Sequence, residues 1–343
     1  MNIAPEKGLK DYQSKMLIGA RADAEVCAPY PGRVNDILLR DFNVVTLTAY
    51  FKRTWPGPFS YDFRVFNQWV NWAKAHDLPI VMHMLAGHKL YYPEWARNAA
   101  WEGPDQAFLA YQYIRQLMTE NDNGKKIDVF NVVNEFLDPV TGAYRPESSE
   151  IGNFLLPMGW EKDESGLSGE ARVNALHPRA LTFLFETAAR FTDAKLELRE
   201  DCCDFEPDGR KVQAMRQQIL HLRNKGCRVD AVGLQCHLFW EDRVDYSRLD
   251  LFQRNVEQFH EMGLEVYVTE LDIPLLSDGE AAQARRWADF VRACRACGVE
   301  QLHVWGLADG VDKNWRDGTH PLLFDEQYRE KAAYYAVAEA LSE

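Results

Sequence analysis

The sequence predicts an α/β protein in which eight short strands alternate with helices around a (β/α)8 barrel. Short apolar runs alternate along the chain with amphipathic segments, which is the order of a repeated βα unit. The runs are mostly β-branched or apolar on both faces, as expected for parallel strands that are covered on both sides. No GxGxxG loop follows the first run, which disfavours an open doubly wound sheet.

The elements follow in order along the chain. The eight predicted strands occupy residues 16–20, 44–48, 80–85, 129–135, 196–200, 231–237, 265–271 and 301–307. Helix-like segments between them include residues 63–75, 106–121, 179–191, 211–224, 251–262, 281–294 and 328–341. Gly226, Gly263 and Gly298 follow three of these segments, where glycine commonly ends a helix.

The chain length fits one domain. A chain of 343 residues is long for one compact core, but α/β barrels of this size form single domains. No linker and no internal repeat divides the sequence, so we predict one domain over residues 1–343. The longest stretch without periodicity covers about 138–177, after the fourth strand. We expect an extended loop there, above the C-terminal face of the barrel.

The charge of the chain excludes several partner classes. The formal net charge is −13 and the sequence pI is about 5.2, without a basic run, so we expect no nucleic acid and no anionic membrane as partner. No stretch of 18 apolar residues predicts a membrane span. The first residues lack an apolar signal core. The chain is therefore expected to be cytoplasmic, or secreted or periplasmic with its signal removed.

The cysteines do not predict a metal site. The chain has seven, and Cys294 and Cys297 form a CxxC pair. No second CxxC or histidine pair accompanies it, so zinc is not expected. We interpret these residues as small buried thiols, with a disulfide between Cys294 and Cys297 as the alternative.

Polar side chains follow five of the predicted strands. In a barrel the C-terminal ends of the strands meet at one face, where the chemistry occurs. Solvated strand ends would explain one such residue, but they explain less well why five strands carry glutamate, histidine, glutamine, asparagine or tryptophan at this end. The residues are His83 with His88, Asn134 with Glu135, Gln235 with His237, Glu270 with Asp272, and Trp305.

Two glutamates on different strands predict paired-carboxylate chemistry. Hydrolysis of a glycoside needs one carboxylic acid to protonate the leaving oxygen and a second carboxylate to attack the anomeric carbon or to activate water. Glu135 and Glu270 follow strands on opposite sides of the barrel, where inward side chains reach the roughly 5 Å separation of retaining enzymes. This chemistry needs no cofactor and no metal, and its partner is a β-linked oligo- or polysaccharide.

Four motifs stand at the ends of predicted strands, namely VVNE, GLQCHL, VTELDI and VWGLAD. They resemble motifs of glycoside hydrolase family 10, the β-1,4-xylanase family. VVNE at 132–135 resembles its acid/base motif, and VTELDI at 268–273 resembles its nucleophile motif. GLQCHL at 233–238 resembles its strand-six motif. VWGLAD at 304–309, followed by Trp315 and PLLFDEQYREKAAYYAV, resembles its C-terminal signature. The resemblance covers about residues 16–341 and implies a TIM barrel and a retaining endo-β-1,4-xylanase that acts on xylan or decorated xylo-oligosaccharides by double displacement.

The resemblance also implies the roles of single residues. Glu135 is expected to be the general acid/base, and Asn134 to bind the sugar 2-hydroxyl. Glu270 is expected to be the nucleophile, with His237 bonded to it and oriented by Asp272. The residues expected to line the glycone side are Lys52, His83, Gln235, Trp305 and Trp315.

The sequence departs from the family after three strands. Thr48 and Ala49 replace the glutamate and asparagine that hold a second xylose, and Gly87 replaces a tryptophan. The family's Asn-Asp-Tyr-Asn after strand five is Arg-Glu-Asp-Cys at 199–202. We expect open space at Gly87. Positive charge near that space would favour a bulky or anionic glycone, and it would come from Lys52, Arg53, Lys89 and Arg199.

Three alternatives remain open from the sequence. A β-glycosidase of the same family would remove sugars from a small β-glycoside. A non-catalytic carbohydrate-binding barrel would be expected to have lost a carboxylate, but both glutamates are present. A metal-dependent hydrolase would use His83, His88, His237 and Asp272 as metal ligands, but the sequence contains no HxH or HExxH motif.

Overall fold

The eight predicted strands form a closed parallel barrel. The computed structural model describes residues 7–12, 15–23, 28–29, 31–87, 89–98, 103–145, 166–205, 209–239, 245–310 and 318–343. The strands are β1 (Leu17–Arg21), β2 (Val44–Thr48), β3 (Ile80–His83), β4 (Val129–Asn134), β5 (Lys195–Glu200), β6 (Ala231–Leu234), β7 (Glu265–Leu271) and β8 (Gln301–Val304). Each strand pairs in parallel with the next, and β8 pairs with β1, which confirms the predicted (β/α)8 barrel.

The strands end earlier than predicted at four places. β3, β4, β6 and β8 stop at His83, Asn134, Leu234 and Val304, so Glu135, Gln235 and His237 lie just beyond a strand. The chain turns sharply there, because Glu135 has φ 60° and Cys236 has φ 59°. His237 still forms an isolated parallel bridge with Asp272, which extends the β6–β7 edge into the face of the barrel.

Helices cover the outside of the barrel. Their bounds are α1 (Arg33–Asp41), α2 (Phe51–Thr54), α3 (Arg64–Ala75), α4 (Glu94–Asn98), α5 (Gly103–Thr119), α6 (Asn123–Lys126), α7 (Gly169–Ala189), α8 (Arg210–Asn224), α9 (Leu249–His260), α10 (Glu280–Cys297) and α11 (Ala332–Ser342). Short 3-10 helices lie at Leu9–Asp11, Lys89–Tyr91 and Glu120–Asp122. As predicted, glycine ends α10, where Gly298 is the left-handed C-cap. Among the described residues, no helix combines the length and apolarity needed to cross a bilayer.

The predicted loop at 138–177 ends earlier than expected, because helix α7 begins within it. Helix α7 begins at Gly169 and continues through Pro178, whereas the sequence placed its start at 179. The proline suggested a break, but Val173, Leu176 and His177 are buried on the preceding turns, and this packing holds the helix together. Residues 146–165 of this loop lie outside the described residues.

The interior of the barrel is partly polar. Thr46 Oγ1 bonds His303 Nδ1 at 2.9 Å, and Gln301 Oε1 lies 3.0 Å from His303 Nε2. On β5, Glu197 and Arg199 are fully buried beside each other. Two of the barrel's glycines make room for this interior. A Cβ at Gly19 would lie 2.3 Å from His303 Nδ1, and one at Gly233 would lie 2.0 Å from Glu197 Oε1.

Candidate active site

Glu135 follows β4 and collects three hydrogen bonds on one oxygen. Its Oε1 accepts from Gln235 Nε2 at 2.7 Å, from Asn134 Nδ2 at 3.0 Å and from the Tyr91 hydroxyl at 3.3 Å. Gln235 Nε2 also bonds Asn134 Oδ1 at 3.2 Å. Tyr91 is half-buried with its hydroxyl turned towards Glu135, so burial and then the charge of Glu135 raise its pKa well above the usual value. Tyr91 therefore stays protonated and donates.

Glu270 lies near the C-terminal end of β7 and is 3% exposed. Its backbone N–H donates to the carbonyl of Gln235 at 2.9 Å, which joins the β6 and β7 ends behind the two glutamates. Its Oε1 accepts from Arg199 Nη1 at 3.1 Å, and its Oε2 lies 3.1 Å from His237 Nε2. Each carboxylate oxygen therefore has a cationic partner, and the second oxygen's partner is itself anchored.

His237 is held between two carboxylates. Its Nδ1 lies 2.9 Å from Asp272 Oδ2, and its Nε2 faces Glu270. Burial alone would lower the pKa of His237, but Asp272 and Glu270 outweigh burial and raise this pKa to about 10. An imidazolium donates from both nitrogens, so His237 bridges the two acids at neutral pH.

The charge of Glu270 follows from its neighbours. Burial would raise the pKa of Glu270, but His83, His237 and Arg199 lower this pKa to about 2. Burial also lowers the pKa of His83 to about 4. His83 is therefore neutral at neutral pH, and the positive charges that keep Glu270 ionised are those of His237 and Arg199.

Arg199 occupies a different place from the one predicted. The sequence placed its charge near open glycone space, but its side chain is fully buried in the barrel. Glu197 accepts from Nε at 2.7 Å and from Nη2 at 3.0 Å, while Nη1 reaches Glu270 and His83. The charge of Arg199 is thus balanced by buried carboxylates. A signal for this was present, because a strand covered on both faces should not alternate leucine with charged residues as LELRE does.

The space expected at Gly87 is filled. A Cβ there would lie 2.9 Å from Met84 Sδ and 3.0 Å from a Tyr91 ring carbon. Tyr91 stacks on Tyr50 with ring centroids 6.5 Å apart. Met84 and Tyr91 occupy the region that the missing indole was expected to leave open. A hydrogen bond to Glu135 holds Tyr91 there.

A second filling residue lies at the end of β1. Arg21 is 4% exposed, and its guanidinium lies 4.8 Å from the ring centre of Trp305 and 5.4 Å from that of Tyr50. Its Nε is 3.7 Å from Asp23, which accepts from the backbone N–H and hydroxyl of Thr48. The cation covers one ring face of Trp305, whose edges contact His83 and His237.

The remaining predicted residues are less connected to this cluster. Lys52 lies on α2 with an exposed side chain, and no hydrogen bond joins it to the strand ends within the described ranges. Arg53 is also exposed and lines a cavity of about 260 Å³ beside Tyr50 and Trp69. Trp315 and His88 lie outside the described residues, as does the side chain of Lys89.

A buried charged cluster supports the β4 end from below. Glu200 Oε1 accepts the backbone N–H groups of Phe136 and Leu137, directly after Glu135. Lys211 on α8 is fully buried and lies 3.2 Å from Glu200 Oε2. The same ammonium contacts the carbonyl and carboxylate of Asp201. The cluster therefore fixes the turn that carries Glu135.

The structure bears on two alternatives from the sequence, a disulfide between Cys294 and Cys297 and a metal site. Cys294 and Cys297 both lie on α10 as free thiols. Within the described ranges, no group of three or more histidine, cysteine or acidic side chains is arranged to hold a metal ion. His83 Nδ1 and both nitrogens of His237 are already committed to hydrogen bonds with Arg199, Glu270 and Asp272.

Comparisons with known proteins agree with this architecture. A sequence model of glycosyl hydrolase family 10 matches residues 9–340. The chain is 23% identical over 325 residues to Endo-1,4-beta-xylanase B of Thermotoga neapolitana, an alignment that covers 90% of this chain and 83% of that relative. It is 26% identical over 332 residues to Endo-1,4-beta-xylanase B of Neocallimastix patriciarum, covering 95% of this chain but only 34% of that longer protein.

A solved structure shows the same fold. Xylanase 10B from Thermotoga petrophila in complex with xylobiose superposes with a TM-score of 0.77 at 21% identity, covering 99% of this chain and 98% of that one. Together, barrel and paired carboxylates define the class of protein as a glycoside hydrolase. Because the family match spans nearly the whole sequence, the chain belongs to glycosyl hydrolase family 10, which confirms the resemblance.

Proposed function

We propose that this chain is a retaining endo-β-1,4-xylanase in which Glu270 is the nucleophile and Glu135 the general acid/base. The carrying observation is the contrast between the surroundings of the two carboxylates. The two carboxylate oxygens of Glu270 contact the cations of Arg199 and His237, and the Oε1 of Glu135 accepts hydrogen bonds from three neutral groups. A pair of acids in unlike environments divides the roles, because one stays ionised while the other can carry a proton.

The reaction then proceeds in two displacements. The Glu270 carboxylate attacks the anomeric carbon, the glycosidic C–O bond breaks, and the leaving oxygen takes the proton of Glu135. Water next gives a proton to the Glu135 carboxylate and attacks the anomeric carbon, which releases Glu270. Asn134, which donates to Glu135, is proposed to bind the sugar 2-hydroxyl, and Gln235 and His83 are proposed to contact further hydroxyls. Trp305, whose ring contacts His83, is the proposed aromatic wall on the glycone side.

Xylan as the substrate is supported by the relatives. The two curated relatives are named as endo-1,4-β-xylanases, and the barrel of similar fold holds xylobiose. The family and the catalytic carboxylates favour the same sugar class for this chain. Lys52 and Trp315 remain proposed glycone-side residues by their motif positions.

A second candidate is a β-glycosidase that acts on a small glycoside. One observation favours it: protein side chains occupy space on the glycone side of the site. Arg21 covers Trp305, while Met84 and Tyr91 occupy the place of the family indole at Gly87. Thr48, in place of the family's glutamate, is engaged with Asp23 rather than directed to a sugar. A shorter glycone side would accept fewer sugar units.

A hydrolysis screen separates these candidates. The panel contains aryl β-xyloside, aryl β-xylobioside, linear xylan, glucuronic-acid-decorated xylan and other β-glycans, with Glu270→Ala as control. Release of oligosaccharides from linear xylan supports the endo-xylanase. Turnover of aryl β-xyloside with silence on polymers supports the β-glycosidase. Silence on every substrate, or equal activity of wild type and Glu270→Ala, would overturn the proposed function.

A further inference from the structure

The partner of Glu270 inside the barrel is a buried, anchored arginine. Arg199 and Glu197 are both fully buried. Glu197 accepts two parallel N–H bonds from Nε and Nη2, the bidentate geometry that fixes a guanidinium plane. Gly233 on β6 leaves the space for this pair, because a Cβ there would lie 2.0 Å from Glu197 Oε1. The third nitrogen, Nη1, is therefore held in one position.

That third nitrogen contacts two members of the active site. Nη1 lies 3.1 Å from Glu270 Oε1 and 3.1 Å from His83 Nδ1. A guanidinium can only donate, so Nδ1 of the neutral His83 must accept. The imidazole proton then resides on Nε2, where His83 can donate to a substrate hydroxyl. Arg199 thus fixes the tautomer of one residue and contacts the reacting carboxylate of another.

The contact with Glu270 changes in strength during the reaction. When Glu270 is a free carboxylate, it is a charged partner for Arg199. In the glycosyl-enzyme it is a neutral ester, so the charge-assisted bond is weaker. An interaction that favours the free carboxylate opposes the first displacement slightly and assists the second, in which the carboxylate regains its charge. His237 acts in the same sense on Oε2.

We propose that Arg199, anchored by Glu197, is a positioning residue that speeds release of Glu270 from the glycosyl-enzyme and so sets the balance between the two displacements. The contact between Arg199 and Glu270 distinguishes this chain from the family pattern, which has asparagine at the position of Arg199. The proposal rests on the proposed role of Glu270 as nucleophile.

The test is rapid-mixing kinetics on Arg199→Met with the most reactive aryl β-glycoside from the screen. Methionine keeps much of the volume but removes the charge. Loss of a charged hydrogen bond corresponds to a roughly 10- to 100-fold effect, so we expect kcat to fall by about that factor. KM should fall with it, kcat/KM should change less than about 10-fold, and a burst of aryl release near one equivalent per enzyme should appear.

Two further variants guard against misfolding. Arg199→Lys keeps a charge without the fork, and Glu197→Gln keeps Arg199 but loosens its anchor, so both should show the same changes to a smaller degree. Arg40→Met is the matched control, since Arg40 also pairs with Asp41 and Glu330, at 2.7 and 2.9 Å, at the end of α1 and away from the strand ends. It should lower stability without producing a burst.

The outcomes distinguish the two proposals. A burst in the Arg199 or Glu197 variants, with one added glycosyl unit on quenched enzyme by intact-mass spectrometry, supports the role of Arg199. Equal falls in kcat and kcat/KM without a burst in any folded variant would show a purely structural role and overturn it. Turnover by Glu270→Ala would instead refute the nucleophile itself, whatever the Arg199 variants do.

Discussion

Asp272 acts on Glu270, the proposed nucleophile, through His237. Asp272 Oδ2 lies 2.9 Å from His237 Nδ1, and His237 Nε2 faces Glu270. The protonated state of His237 decides whether this contact attracts or repels. An imidazolium donates to Glu270, whereas a neutral ring with its proton on Nδ1 presents a lone pair to the carboxylate.

Asp272→Asn should make kcat/KM fall as the pH rises from 5 to 8. An amide still accepts from Nδ1–H, but it removes a charge that raises the pKa of His237, so burial will lower that pKa. As pH rises through this lowered pKa, His237 becomes neutral and Glu270 loses a donor. We expect kcat/KM of the variant to fall about 10-fold or more between pH 5 and pH 8 beyond the wild-type profile. Parallel profiles for the two proteins would contradict this.

Glu135→Ala should reveal acid catalysis by its dependence on the leaving group. A leaving group that departs without a proton does not need the acid in the first displacement. We expect the first displacement to be nearly unchanged for a dinitrophenyl glycoside and to slow roughly 100-fold or more for an alkyl glycoside. Rates are measured by single-turnover kinetics. Equal loss on both substrates would refute the acid role.

At the scale of the element, the turn after β4 depends on β5 and α8. The N–H groups of Phe136 and Leu137 both donate to Glu200, and Lys211 on α8 pairs with Glu200 and Asp201. Arg145 supplies a second cation to Asp201. Glu135, the proposed acid/base, is thus positioned by a buried charged cluster that lies behind its turn. The family's aspartate position carries the longer Glu200 here, and the buried lysine balances the carboxylates that converge on it.

Lys211→Met should therefore destabilise the protein strongly. Removing the cation leaves the buried Glu200 without its ion-pair partner, while Asp201 keeps Arg145 at 3.3 Å, and breaking such a buried pair typically costs about 3–5 kcal/mol. The exposed pair between Lys195 and Glu265 is the control, because Lys195→Met removes a solvated ion pair worth at most about 1 kcal/mol. Denaturant unfolding measures both. Similar losses for the two variants would show that burial of Lys211 is not decisive.

At the scale of the whole molecule, the barrel interior carries charge that a fully apolar core would exclude. Glu197 and Arg199 fit only because β6 contributes Gly233 opposite them. Packing inside a closed barrel is coupled around the ring, so one added methyl group must displace a buried carboxylate.

Gly233→Ala should disturb both stability and activity. Its Cβ would lie 2.0 Å from Glu197 Oε1 and 2.9 Å from Thr269 Cγ2, so Glu197 must shift and Arg199 with it. We expect a loss of about 1–3 kcal/mol and a lower kcat. Gly57→Ala is the matched control, since its Cβ would meet Ser60 Cβ at an ordinary 3.7 Å. Thermal unfolding and steady-state kinetics on both variants test this, and an inert Gly233→Ala would contradict it.

The sequence by itself determined the barrel and the paired glutamates. Alternating apolar and amphipathic segments are a local signal, because strand and helix periodicity is set by backbone geometry. The end of a strand is also a local signal, so the sequence alone predicts that Glu135, His237 and Glu270 lie on one face of the barrel. The start of α7 was missed because Pro178 is a local break signal that long-range burial of Val173 and Leu176 overrides.

Only the tertiary structure decided the surroundings of those residues. Arg199 was expected at open glycone space and lies inside the barrel, because Glu197 and Gly233 on neighbouring strands provide a charge partner and room. Gly87 was expected to leave a gap, which Met84 and Tyr91 fill. Side-chain charge and volume are balanced between strands that are far apart in sequence. The sequence pattern shows from which strand end a side chain projects. The packing of the folded barrel determines which residue that side chain contacts.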